Sequence, residues 1–421
     1  MLKKYTVPVS LVLILVLLTI TACASPTVQP PVEEKILKIG NIQPLSTLAG
    51  VLGQGGKAAL EVYVDEINED GGLKVGNDTY KIEIYFADGP IMPPSADVAA
   101  ARSLVYEKGV KAIVGYYGLA NPSIASITTP EKVIFIQSTL NMGTYVPDQH
   151  LYSVFGYPNL EAAGSQAVLV MRSFPQAKVL CWLNAEGGNQ NIEASRAGWN
   201  EEFETKYHFK SVSVSYPVGT MDFVPYLTKA AELKTDVIFT VYGTIAVGLM
   251  AKQASQMGYK FIFAQGGPIL DIQQLKGVAG STEAIQNICS DYSYPWVLKK
   301  TKVSTKYLDM ASRIRTAYKN KYDKEPSAGA FCVNCNMLGQ YLEAVQQAGT
   351  IDADAVMNTF RGGTIDTFVG TYKLSGEKLY GANVVFGYPC CMSIIKGEEQ
   401  VYLGENPLTD ADNPVVGAPQ E

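Results

Sequence analysis

Lys111–Ser138 reads KAIVGYYGLANPSIASITTPEKVIFIQS. Lys111–Tyr117 is a short apolar run of the kind a buried strand requires, and Val133–Ser138 is a second. Between them Pro122–Thr129 is helical, with Pro122 at a first-turn position, where its missing N–H costs nothing. Strand, helix and strand in so short a stretch make the repeating unit of a parallel sheet.

The same beat extends both ways. Upstream, Ile36–Ile42 is a strand, Gly55–Asn68 a helix stopped by Asp70-Gly71-Gly72, Tyr80–Ala87 a strand and Ser95–Lys108 a helix. From Leu160 it begins again. Helices are predicted over Leu160–Ser173, Ile192–Tyr207, Phe223–Leu233 and Ile245–Met257. Strands are predicted over Ala177–Leu183, Ser211–Tyr216, Asp236–Val241 and Lys260–Ala264. The fold class is therefore α/β, with two doubly wound parallel-sheet lobes of one architecture. Extended links at Tyr152–Pro158 and Asn287–Pro295 join them. Helices at Tyr307–Tyr322, Ala328–Ala348 and Asp352–Phe360 follow, then hairpin-like Thr371–Leu374 and Ala382–Gly387, and Cys391–Ile395. Three crossings between lobes would place these last elements. The resulting division is 36–154 with 292–363 for the first lobe, and 156–288 with 365–402 for the second.

Bulk properties agree with a globular body. The chain has 421 residues, too many for one hydrophobic core. It is 47% hydrophobic and 18% charged, with net charge −6 and no basic stripe, which excludes nucleic acid as a natural partner. The ends differ from the body. Met1–Lys4 is basic, Val7–Ile20 is apolar but short for a bilayer span, and Ile20-Thr21-Ala22-Cys23 follows. The tetrapeptide resembles the lipobox of bacterial lipoproteins, which implies cleavage before Cys23 and diacylation of its thiol. Residues 24–35, rich in Pro, read as a tether, and 403–421 as a disordered tail. The expected address is extracytoplasmic, with the membrane reached through lipid.

Of the seven cysteines, Cys181 and Cys289 lie in apolar strands and read as buried small hydrophobes. Cys332-x-x-Cys335 is read as two inward helix positions or a local disulfide. A zinc site would need two more ligands, and the chain offers only His150 and His208 and no second Cys-x-x-Cys. Cys390 and Cys391 complete the set, and spacing alone assigns no pairs.

Ile39-Gly40-Asn41-Ile42-Gln43-Pro44-Leu45-Ser46, Gly53 and the helix ALEVYVDEINEDGGL resemble the opening of type 1 periplasmic substrate-binding proteins. The branch resembled is the leucine/isoleucine/valine-binding type of ABC importers. Asp88 on its strand, Ala100-Arg102-Leu104-Val105 before Val110–Gly115, and Asp222-Phe223 with Leu227 continue the likeness, which runs from Ile36 to near Gly397. The resemblance implies two lobes hinged about three strands that close on a small molecule without catalysis. It implies an ABC permease as partner, a monomeric receptor and no cofactor.

Ligands of open parallel sheets bind beyond the carboxyl ends of the strands, where helix N-termini also point. Tyr116-Tyr117-Gly118-Leu119-Ala120-Asn121 follows one such strand, and Tyr116, Tyr117, Gly118, Leu119 and Asn121 are candidate contacts. In the resembled family this loop grips a carboxylate with a hydroxyl, which Leu119, Ala120 and Asn121 do not supply. Gln137-Ser138-Thr139-Leu140-Asn141 matches the family's second carboxylate loop, with Gln137, Ser138, Thr139 and Asn141 as candidates. The second lobe offers Asn189, Tyr242 and Gln265. Where the amino-acid branch carries an acid for the ligand's ammonium, this chain has Gly266 and Gly267, and Asp271 and Glu186 do not align. A buried ammonium without a carboxylate is costly, so a carboxylate or amide with an apolar or aromatic body is favoured. Tyr292, Tyr294 and Trp296 either line that body or pack at a hinge.

Rival classes are weaker. Gly53-x-Gly55-x-x-Ala58 is too far from its strand for a dinucleotide turn. No Gly-x-Ser-x-Gly elbow marks an α/β hydrolase. A sensory ligand-binding subunit shares every feature above and stays open.

Overall fold

The computed structural model describes residues 34–46, 50–90, 94–116, 120–137, 145–156, 159–186, 199–241, 244–266, 272–290, 295–296, 303–327, 329–377, 381–386 and 390–406. The chain divides into two compact units, Met1–Lys35 and Ile36–Glu421. The signal segment, Cys23 and almost all of the tether lie outside the described residues. The architecture below belongs to the second unit, apart from the first strand's opening residue, Lys35.

One sheet has eight strands. In chain order they are β1 (Lys35–Gln43), β2 (Leu73–Val75), β3 (Asp78–Asp88), β4 (Ala112–Tyr116), β5 (Ile134–Gln137), β6 (Ser153–Phe155), β14 (Leu374–Ser375) and β15 (Val385–Phe386). Their spatial order is β14-β15-β6-β5-β4-β1-β3-β2. β1, β4, β5 and β6 run parallel. Side chains alternate between two cores: Ile134 and Ile136 enter one, Phe135 the other. Such two-sided burial explains the continuous apolar run in β5. The first core is covered by α1 (Gly50–Glu69), α8 (Thr305–Tyr322), a π-helical turn Ala330–Cys335, α9 (Asn336–Ala348) and α10 (Ala353–Gly362). The second is covered by α2 (Pro94–Arg102), its π-helical continuation Ser103–Lys108, and α3 (Asn121–Thr128).

The other sheet has seven strands: β7 (Val179–Ala185), β8 (Lys210–Tyr216), β9 (Val237–Val241), β10 (Ile262–Gly266), β11 (Cys289–Ser290), β16 (Cys390–Lys396) and β17 (Glu399–Asn406). Their order is β17-β16-β11-β10-β9-β7-β8. Leu180 and Trp182 face one core and Cys181 and Leu183 the other. Helices α4 (Asn159–Ser173), α5 (Val224–Glu232), α6 (Thr244–Gln256) and α7 (Ile272–Ala279) clothe this sheet. The predicted helix over Ile192–Tyr207 is described only from residue 199.

Three differences from expectation stand out. First, residues 365–386 do not join the second lobe. β12 (Ile365–Thr367) and β13 (Gly370–Tyr372) form a small hairpin, and β15 pairs with β6 through Val385 and Phe155. Apolar burial decides this: Phe368 packs 4.8 Å from Tyr307 and 5.4 Å from Tyr63, and Phe386 lies 6.1 Å from Phe360. The third crossing therefore falls between Phe386 and Cys390. Second, residues 403–406 are not tail but the end of β17, paired along its length with β16. Third, α1 begins at Gly50, ahead of the predicted Gly55. It runs so close to the preceding turn that a Cβ at Gly53 would collide with the Pro44 carbonyl. That close approach accounts for the glycine that mimics a nucleotide fingerprint.

Candidate functional site

The site is sought at the carboxyl ends of the parallel strands. In the first sheet β4 ends in a bulge: its register with β5 shifts between Val114 and Tyr116. Gly115 sits there at φ +83°, and a Cβ on it would stand 2.6 Å from Asn41 Nδ2. Glycine alone fits that backbone, and the bulge accounts for the shift of register.

Below the bulge lies a buried polar network. Asn41 Nδ2 donates to the Val114 carbonyl at 2.7 Å, and Gln43 Nε2 donates to the Gly115 carbonyl at 3.3 Å and to Asn334 Oδ1. These amides tie β1, β4 and the π-helical turn together at one end of the sheet. Nearby, Asp88 closes β3 and accepts from the Leu45 amide at 2.8 Å and from Ser46 Oγ. Burial works against its charge, but these bonds and one from the Ser46 amide prevail and hold the Asp88 carboxyl below the usual range.

Gln137 is the last residue of β5, in register with Tyr116 on β4 and Phe155 on β6. Its carbonyl accepts from the Gly156 amide at 2.8 Å. Its side chain is 0% exposed, and neither Nε2 nor Oε1 has a hydrogen-bond partner. Asn121, buried, opens α3, with Pro122 behind it.

The second sheet carries a row of buried polar side chains close to its strand ends. Thr240 on β9, Gln265 on β10, Ser290 on β11 and Ser393 on β16 stand side by side in register. Ser393 Oγ donates to the Ser290 carbonyl at 3.2 Å. Asn184, near the end of β7, accepts from the Val241 amide at 2.6 Å and so fastens β7 to β9. Among the described residues, every buried side chain at these strand ends is neutral.

A cavity of about 450 Å³ lies between the lobes, lined on one side by Gln54, Lys57 and Glu61 of α1 with Tyr318 and Tyr322 of α8, and on the other by Gln274 of α7. Its size lies within the range of small-molecule sites.

Of the predicted contacts, Tyr116, Asn121 and Gln137 are thus brought to one end of the first sheet, and Gln265 to one end of the second. Tyr117, Gly118, Leu119, Ser138, Thr139, Asn141, Asn189 and Tyr242 lie outside the described residues, as do Tyr292 and Tyr294. Trp296 packs against the first core: it meets Phe331 edge-on at 5.3 Å and carries the Arg315 guanidinium over its ring at 4.5 Å. Arg315 also holds both oxygens of Glu325 at 2.8 Å.

Cys181, Cys289 and Cys335 are buried thiols that form no disulfide. Burial pushes the Cys289 thiol up to about 12 and Cys335 upward as well, so neither is a nucleophile near neutral pH. Among the described residues no group of three or more His, Cys, Asp or Glu could hold a metal, and no helix is long and apolar enough to cross a membrane.

The family model described as "Periplasmic binding protein" matches residues 36–382. The chain belongs to the periplasmic binding protein family. Leu/Ile/Val-binding protein homolog 7 of Brucella abortus (strain 2308) is 24% identical over 334 residues, covering 76% of this chain and 79% of the relative. The leucine-binding protein LivK of Thermotoga maritima superposes with TM-score 0.68 at 17% identity, over 88% of this chain and 98% of its own. A solute-binding protein of an ABC transporter from R. palustris, solved with benzoate, gives TM-score 0.67 at 16% identity, over 88% and 96%.

Sequence reasoning missed Asn41, Gln43, Asn334, Asn184, Thr240, Ser290 and Ser393. A signal existed for some of them. A polar residue at or next to the end of a strand's apolar run, as Thr240 is in Val237–Val241 and Gln43 after Ile42 in Lys35–Gln43, has no structural reason to be buried unless it is bonded or faces a guest. Asn334 carries no such signal, since it lies on a helical turn distant in sequence from its partner Gln43.

Proposed function

We propose that this chain is the solute receptor of an ABC importer, held outside the cytoplasm by lipid on Cys23. It binds a small carboxylate or amide in the cleft between its lobes and closes on it about the hinge. The observation that carries this reading is the set of buried neutral polar side chains at the strand ends, Gln137, Asn184 and Gln265 foremost, in a chain of this family. Hydrogen-bonding groups held rigidly at strand ends can orient a guest, while the neutral surroundings provide no acid to activate a bond.

The relatives' names support a small organic guest: leucine for one structural neighbour and benzoate for another. The ammonium of an ordinary α-amino acid fits less well, because Gly266 ends β10 where an acid would be needed. Closure follows from differential affinity: the guest touches both lobes only in the closed form and shifts the population toward it.

A thermal-shift screen with amino acids, aromatic acids, short amides and urea tests the proposal. A true guest at a thousandfold excess over its dissociation constant stabilises by about 4 kcal/mol. The guest should be recovered unchanged by mass spectrometry. Turnover of a stabilising compound, or no stabilisation by any, would overturn the reading, and leucine or valine as the best guest would overturn the inference from Gly266.

A further inference from the structure

We infer that the solute presents a primary carboxamide edge and that Gln137 reads it. This deepens the solute-binding reading and rests on it. The Gln137 backbone is held on both sides, by Tyr116 of β4 and Phe155 of β6, so the start of its side chain is fixed. Alternation along β5 puts the side chain on the Phe135 face. There it is fully buried, and both its amide atoms are unpartnered. Leaving a buried polar group unsatisfied is among the costlier features a fold can carry. An apolar side chain of the same length would fill the space without that cost.

The amide's chemistry selects its guest. Nε2 offers two donors and Oε1 accepts. A carboxylate only accepts, so it would serve Nε2 and leave Oε1 bare. An ammonium only donates, so it would serve Oε1 and leave Nε2 bare. A primary carboxamide or a urea carries N–H and C=O side by side and satisfies both atoms in one planar pair.

The surroundings agree. Gln43, Asn184, Thr240, Gln265 and Ser290, the buried polar residues near the other strand ends, are all neutral, so a neutral guest enters without needing a counter-ion. Asp97 is the one buried carboxylate among the described residues. It lies on α2 against Gly89, beyond the end of β3, and is engaged within the protein. β3 is three strands from β5, about 14 Å. Phe155, beside Gln137, packs with Tyr145 at 5.9 Å and His150 at 6.1 Å and provides an aromatic flank.

The test is titration calorimetry on the full chain with matched pairs: benzamide and benzoate, isovaleramide and isovalerate, acetamide and acetate, with urea alone. At least one amide should bind tenfold or more tightly than its acid. Gln137→Met should weaken that amide by about ten- to a hundredfold, the loss of two neutral hydrogen bonds. The same substitution should raise the melting temperature of the unliganded protein, because it removes an unpaired buried amide. A purely structural glutamine would show the opposite, a lower melting temperature. An acid that binds as tightly as its amide overturns the inference and leaves the solute-binding reading standing. If no compound here or in the wider screen binds, both fall. Unchanged amide affinity in Gln137→Met also overturns the inference, since water would then be what Gln137 holds.

Discussion

At the scale of single residues, Asp88 shows how one side chain fastens a turn to a neighbouring strand. It ends β3 and takes bonds from Leu45 and Ser46, so the turn after β1 is tied to a neighbouring strand. Asp88 is exposed, so its contribution is screened and small. Its carboxyl is held below the usual range. The stabilisation is therefore complete above the unfolded value of about 3.9 and is lost as pH falls through the lower folded value. Asp88→Asn should lower the melting temperature by about 1–2 °C near pH 7. The gap to the parent should close below pH about 3.9. Melting curves at several pH values check this, and a gap independent of pH would show that charge on Asp88 contributes nothing. Gln137 and Gln265 were visible in the sequence as polar residues closing apolar strands. Their burial was not, because it depends on neighbours contributed by strands far along the chain.

At the scale of elements, local chemistry predicts boundaries well where caps are strong. Asp352 caps α10 by accepting from the Ala355 amide at 3.0 Å, and Ser304 caps α8 by accepting from Tyr307. α10 buries Val356, Met357 and Phe360 against the first core. Asp352→Ala should cost about 1 kcal/mol and should speed amide exchange in the first turn of α10. Urea unfolding with hydrogen exchange measures both, and unaltered exchange at Ala355 would count against the cap. The neighbouring Lys132–Asp354 pair at 2.5 Å is half in solvent and adds little. Elements without such signals were misplaced rather than missed: the hairpin-like pair β14 and β15 was assigned to the wrong lobe, and the end of β17 to the tail. β14 and β15 are two residues each, too short for periodicity, and β17 mixes Glu, Gln and Gly with its apolar residues. Pairing with β6 and β16 makes them strands.

At the scale of the molecule, each lobe is a sheet with a core on either face, and the chain passes between the lobes three times. If Cys23 carries lipid, the protein should fractionate with membranes, and Cys23→Ala should move it to the soluble fraction with solute affinity unchanged. Membrane association that persists in Cys23→Ala would refute the anchor. Lobe closure is expected to shrink the radius of gyration in X-ray scattering when a stabilising solute is added.

What the sequence determined by itself was the architecture's grammar. Strand–helix alternation, fixed by the spacing of apolar residues, forces parallel sheets with helices on both faces, and the order of short motifs from Ile36 onward points to the family. It also placed Tyr116, Gln137 and Gln265 at or just past strand ends, since a strand's end can be read from where its apolar run stops, and Asn121 beside the start of the helix that follows β4. Tertiary structure alone decided which lobe receives residues 365–386, because Phe368 and Phe386 find their partners only in the folded first lobe. It alone aligned Thr240, Gln265, Ser290 and Ser393 into one row, because register between strands is a matter of three-dimensional pairing. And it alone left the Gln137 amide buried without a partner, a property of everything packed around it rather than of the residue.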